Sequence, residues 1–119
     1  VSGGQRLAGK LKVVDGGDRL VALITVPAEH AEAVSTALVE TQSAACVNVI
    51  SGLTSVYRWK GEVCRDPESL MIVKTTAEKR QAVADVLTKH HPYEEPELIF
   101  LPIQSGSESY LSWLSAMVQ

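Results

Sequence analysis

The sequence is poor in the features that mark most specialised protein classes. Of its 119 residues only two are cysteine, Cys46 and Cys64, set 18 positions apart. A secreted disulfide scaffold carries more, and a zinc knuckle needs a CxxC pair, which this chain does not have. Both thiols therefore read as reduced side chains packed like small apolar groups, and a reducing cytoplasm is the expected location. Val1 to Gly17 contains no apolar core of the kind a secretory signal carries. Long hydrophobic runs are missing too. Leu20 to Ile24 and Leu98 to Pro102 are the longest, far short of the ~20 residues that cross a bilayer as a helix. No basic run exceeds Lys79-Arg80, and 11 Lys and Arg face 14 Asp and Glu for a net charge of −3. Nucleic acid, which needs clustered positive charge, is not an expected partner. No GxSxG elbow, Walker loop or GxGxxG fingerprint occurs. A non-enzymatic protein is the expectation.

What the chain does have is a hydrophobic fraction of 45% with 21% charged residues, which suits one globular domain with a real core. Residues 1–18 hold five glycines and no sustained periodicity, and read as a flexible tail or an adventitious strand. The domain runs from 19 to 119. Arg19 to Val26 is a β-branched, apolar segment closed by Pro27, a buried strand. Helical spacing follows, with Ala31, Val34, Leu38 and Thr41 on one face. Ala44 to Ile50 is a strand, interrupted by Ser51-Gly52. Leu53 to Lys60 alternates, placing Ser55, Tyr57 and Trp59 on one side. Gly61 makes a turn, Arg65-Asp66-Pro67 reads as a break, and Ser69 to Thr75 is another strand. Thr75 with Glu78 forms a capping box for a helix with Val83, Val86, Leu87 and His90 on its stripe, ended by Pro92. Glu97 to Ile103 is the last strand. Ser105 with Glu108 forms a second capping box, for a C-terminal helix whose apolar stripe is wide enough to need contact on two sides.

The order β-α-β-β-α-β plus a terminal helix is an α+β, ferredoxin-like arrangement: one antiparallel sheet with two helices across one face. The pattern leaves the other face uncovered, with Tyr57, Trp59 and Met71 in need of a place. An uncovered apolar face and open edges call for a second copy of the chain.

Two constellations carry candidate chemistry. His90 and His91 are adjacent, with Glu94, Glu95 and Glu97 close behind. Imidazole suits copper, zinc and nickel, and copper wins at most nitrogen/oxygen sites. Successive side chains on a helix diverge by about 100°, but Pro92 frees the pair from strict helical geometry. The competing reading is structural: His90 continues the apolar stripe into the core, and His91 satisfies helix-end carbonyls. The second constellation is Tyr57 and Trp59 with Lys74 and Glu97, which line either a ligand cleft or an interface.

Several strings are then more specific than any single motif. Ala44-Ala45-Cys46-Val47-Asn48-Val49-Ile50, Thr54-Ser55-Val56-Tyr57-Arg58-Trp59-Lys60-Gly61 and Met71-Ile72-Val73-Lys74-Thr75-Thr76 occur in that order. They are followed by His91-Pro92-Tyr93-Glu94, Leu101-Pro102-Ile103 and Tyr110-Leu111-Ser112-Trp113-Leu114. The sequence closely resembles the CutA family of divalent-cation tolerance proteins over residues 20–118. The resemblance implies a ferredoxin-like subunit in a tight homotrimer, with strands of one protomer extending the sheet of the next. It implies no catalytic activity, a role in tolerance of copper and other divalent cations, and Cu(II) binding in some relatives. The ligands there are two consecutive histidines before Pro-Tyr, matched here by His90 and His91, and a cysteine at the position of Ile24. Isoleucine cannot ligate, so a weakened site is expected. Two alternatives stay open: a module similar to PII signalling proteins with a small effector in an inter-subunit cleft, or a trimeric scaffold for a protein partner.

Overall fold

A computed structural model describes residues 10–119. Four strands form an antiparallel sheet in the order β3-β4-β2-β5, where β2 is Arg19–Val26, β3 Cys46–Trp59, β4 Glu62–Thr76 and β5 Ile99–Pro102. Helix α1 (Ala28–Glu40) connects β2 to β3, and α2 (Arg80–His90) connects β4 to β5. This is the expected ferredoxin-like order. Buried side chains alternate along β2, with Ala22, Ile24 and Val26 fully inside. They meet Met71 and Val73 of β4, Val34 and Leu38 of α1, and Val83 of α2 in one core. Met71, expected on the open face, thus belongs to the helix-covered side.

Two short strands make a second sheet, β1 (Val13–Asp15) with β6 (Ser105–Ser107). The segment read as a flexible tail or an adventitious strand thus contains a docked strand, while residues 1–9 of it lie outside the described residues. The C-terminal helix α3 (Glu108–Met117) starts directly from β6 and buries Leu111 and Leu114 with Ala45 and Val118 in a smaller cluster.

Several local expectations are corrected by tertiary context. Neither Ser51-Gly52 nor Arg65-Asp66-Pro67 breaks the chain, because β3 and β4 run continuously as one long hairpin. Ser51-Gly52 is a bulge between Ile50 and Leu53, with Gly52 at φ 81°, a position that glycine adopts without steric cost. Pro67 is tolerated because β4 pairs with β2 only from Ser69 onward, so Pro67 sits where β4 is an edge strand. Thr75 does not cap a helix. It is fully buried at the end of β4, its hydroxyl donates to the Ser43 carbonyl at 2.6 Å, and a 3-10 turn (Ala77–Lys79) precedes α2. The second cap moves from Ser105 to Ser107, whose Oγ accepts from the Tyr110 amide at 3.4 Å, because β6 uses Ser105 in pairing with Asp15. Thr41 leaves the α1 stripe and closes the helix instead, its hydroxyl donating to the Ala37 carbonyl at 2.7 Å.

From Leu53 to Glu68 the β3–β4 hairpin pairs only with itself and projects as a two-stranded ribbon. It turns at Lys60 and Gly61, both at positive φ (50° and 81°), as the tightest hairpin turn requires. The ribbon stretches the molecule to 52 × 26 × 24 Å.

Candidate functional site

Pro92 sets the fate of the histidine pair. A residue before proline is driven to extended backbone, and His91 has φ −81° and ψ 136°, which ends α2. His90 stays on the helix and is exposed, outside the core stripe. His91 turns away and is buried. Its Nε2 bonds the Thr25 carbonyl at 2.8 Å, and its Nδ1 accepts from the Tyr93 amide at 3.1 Å. A carbonyl can only accept, so Nε2 carries the proton and the ring is in one neutral tautomer. Neither nitrogen is left free for a metal. Ile24 is fully buried in the helix-side core and supplies no donor. Among the described residues no three His, Cys, Asp or Glu side chains are grouped as a metal ion would need. As folded, a single subunit therefore does not present His90 and His91 as a ready copper centre.

The aromatic constellation is brought together in large part. The inner side of the ribbon and the loop 92–97 after α2 enclose a cleft of about 640 Å³, whose walls include Tyr57, Trp59 and Glu97. Ser55 joins them from the same side of the strand, as the alternation implies. Lys74 is elsewhere: it pairs across the sheet with Val21 and Cys46, and its ammonium bonds the Asn48 side chain.

Sequence reasoning missed Glu68, Tyr93 and Thr25 as cleft residues. Glu68 closes the ribbon register opposite Leu53 and is only 5% exposed. No sequence signal marks it, since the ribbon and the loop 92–97 that share the cleft with it come together from distant parts of the sequence. Tyr93 is set by His91, whose Nδ1 accepts from its amide and whose ring lies 5.0 Å from the phenol ring between centroids, the planes tilted by 54°. Burial, and then the Glu68 carboxylate beside it, push the Tyr93 phenol up to about 12. The Tyr57 phenol donates to the Asp66 carboxylate across the ribbon, and that bond raises it to about 12 as well. Both hydroxyls therefore stay protonated at neutral pH, each with its single O–H turned to a carboxylate of the ribbon, and neither is poised as a general base.

The CutA1 divalent ion tolerance family matches residues 20–117. The chain belongs to the CutA1 family. A divalent-cation tolerance protein CutA from Thermus thermophilus is 50% identical over 95 residues, covering 79% of this chain and 92% of the relative. The solved divalent cation tolerance protein (Cut A1) from the same organism superposes with a TM-score of 0.83 at 46% identity, over 85% of this chain and 99% of that one. A PII-like protein CutA from Nostoc in apo form superposes with a TM-score of 0.75 at 28% identity, over 84% and 97% of the two chains. The residues matched by the CutA1 family span the ribbon, His90, His91 and the loop after them.

Proposed function

We propose that this CutA1-family chain is a non-catalytic, homotrimeric divalent-cation tolerance protein of the cytoplasm, which engages divalent ions as part of the response to metal. Family membership across residues 20–117 carries the reading. Assembly is supported by the ribbon. Two strands alone are marginal in water, and Val56 and Val63 on this pair are 57% and 56% exposed. At the other edge of the sheet, β5 exposes Ile99 and Leu101. One subunit's ribbon laid along the next subunit's β5 covers both surfaces, and such head-to-tail contacts close after a small number of copies.

For the ion, His90 is the accessible imidazole, and Cu(II) is the first-row divalent ion that nitrogen donors hold best. One imidazole with water or a carboxylate gives a modest affinity, suited to an excess ion rather than a resident cofactor. Calorimetric titration with Cu(II) tests this. Saturable binding that His90→Ala removes is the expected result, and equal binding by parent and variant overturns His90 as the contact.

The cleft favours a second reading, in which a small effector binds there as in a PII-like regulator. Its volume lies within the range of small-molecule sites, roughly 300–1,000 Å³, and its aromatic and carboxylate groups supply apolar surface and polar anchors together.

A further inference from the structure

Strand alternation gives the ribbon two faces of opposite charge. Arg58 pairs with Val63 and Val56 with Arg65, so these four side chains share the outer face, and one chain leaves all four uncovered. The inner face carries Glu62, Asp66 and Glu68, opposite Trp59, Ser55 and Leu53. Along the paired residues no carboxylate lies on the outer face and no cation on the inner one. Arg58 and Arg65 are diagonal neighbours, about 7–8 Å apart at the backbone, and like charges so placed repel. Nothing in the chain offsets this, because the one ion pair among the described residues is Lys12 with Glu108, on another surface. The chain's own acidic loop, 92–97, lies across the cleft from the inner face, and neither arginine lines that cleft.

A surface of the opposite kind stands elsewhere on the same chain. The loop presents Glu94, Glu95 and Glu97, all exposed, and runs through Leu98 straight into β5, where Ile99 and Leu101 are 47% and 45% exposed. Two cations with two valines on the ribbon thus match three carboxylates with two large aliphatic side chains on loop and strand. We infer that the contact between subunits is charge-matched: Arg58 and Arg65 of one subunit face loop 92–97 of the next, while Val56 and Val63 rest on β5 of the next. This rests on the ribbon-to-β5 assembly and names the groups that fix its partner and direction. Ribbon on ribbon would oppose arginines and loop on loop would oppose carboxylates, so charge selects the head-to-tail contact that closes a ring. The same loop is a wall of the cleft. The neighbouring ribbon therefore backs that wall, and the cleft is complete only in the assembly.

Charge reversal on each side, followed by reversal on both, is the test. Sedimentation of the full chain in a urea series reads dissociation, and circular dichroism of each variant separates it from unfolding. Arg58→Glu with Arg65→Glu should raise the protein concentration at half-dissociation roughly tenfold or more, because like charges then oppose each other across every contact. Glu94→Lys with Glu95→Lys reads the same contact from the other side and should act alike. All four substitutions in one chain restore opposite charges at each contact and should return the value close to the parent's. Glu29→Lys with Glu32→Lys, on the exposed side of α1, makes the same change in net charge as the loop variant and should leave it unmoved. Reversals that leave the trimer intact, or that add rather than cancel when combined, overturn the charge-matched contact and free the outer face for a partner of another kind. An effect of the α1 pair equal to that of the loop pair also overturns it, by reducing it to net charge. A parent chain that sediments as a folded monomer removes the assembly reading itself, and the contact with it.

Discussion

At the scale of single residues, His91 shows how one neighbour fixes a chemical role. Pro92 bends it off the helix, and the bonds at 2.8 and 3.1 Å then fasten the end of β2 to the start of the cleft loop. It is a positioning residue, acting through Tyr93. Each of these two bonds is worth about 1 kcal/mol, and an orphaned buried partner adds to the loss. We expect His91→Ala to destabilise the fold by about 2–3 kcal/mol in chemical denaturation, whereas His90→Ala, on the exposed side, should change it little. Equal effects would mean that the two rings share one environment. Tyr93 gives a pH signature. Its pKa is about 12 in the fold against 10.0 for the free side chain, so above pH 10 the unfolded chain loses a proton that the folded chain keeps. Stability from this group is complete below pH 10 and is lost as pH rises through 12. Tyr93→Phe should therefore flatten the fall of melting temperature between those limits, and identical slopes would contradict the assignment.

At the scale of elements, regular periodicity was readable and close approach was not. The helix stripes Ala31, Val34, Leu38 and Val83, Val86, Leu87 follow from spacing, and so does the alternation that puts Tyr57 with Trp59. The caps at Thr75 and Ser105 moved because strands claimed those residues, and strand pairing is set by partners distant in sequence. Gly16 shows the same limit. A Cβ there would stand 1.6 Å from the Ile103 carbonyl oxygen, and its amide donates to the Gln104 carbonyl at 2.8 Å. Glycine is thus required where the β1 segment docks on the chain leading into β6, whereas composition alone leaves a flexible tail and an adventitious strand both open. Gly16→Ala should cost about 1–3 kcal/mol, as overpacking does. A melting temperature equal to the parent's would show that β1 docking adds nothing to stability.

At the scale of the whole molecule, the sequence makes the fold and family legible, because ordered blocks spread over most of the chain constrain topology strongly. The site was only half legible. Tyr57, Trp59 and Glu97 meet in one cleft, while Lys74 bonds Asn48 elsewhere and Glu68 becomes a cleft residue only through tertiary placement of the ribbon beside the loop. That ribbon is also what a lone subunit leaves exposed, and it is the proposed assembly arm of a cation-engaging trimer. The measurement that tests this most directly is a native mass spectrum at micromolar concentration, recorded with and without Cu(II). The expected result is a single species at three times the 12.8 kDa chain mass, gaining copper adducts that His90→Ala removes. A folded monomer, or a trimer to which copper adds equally in the variant, would contradict it.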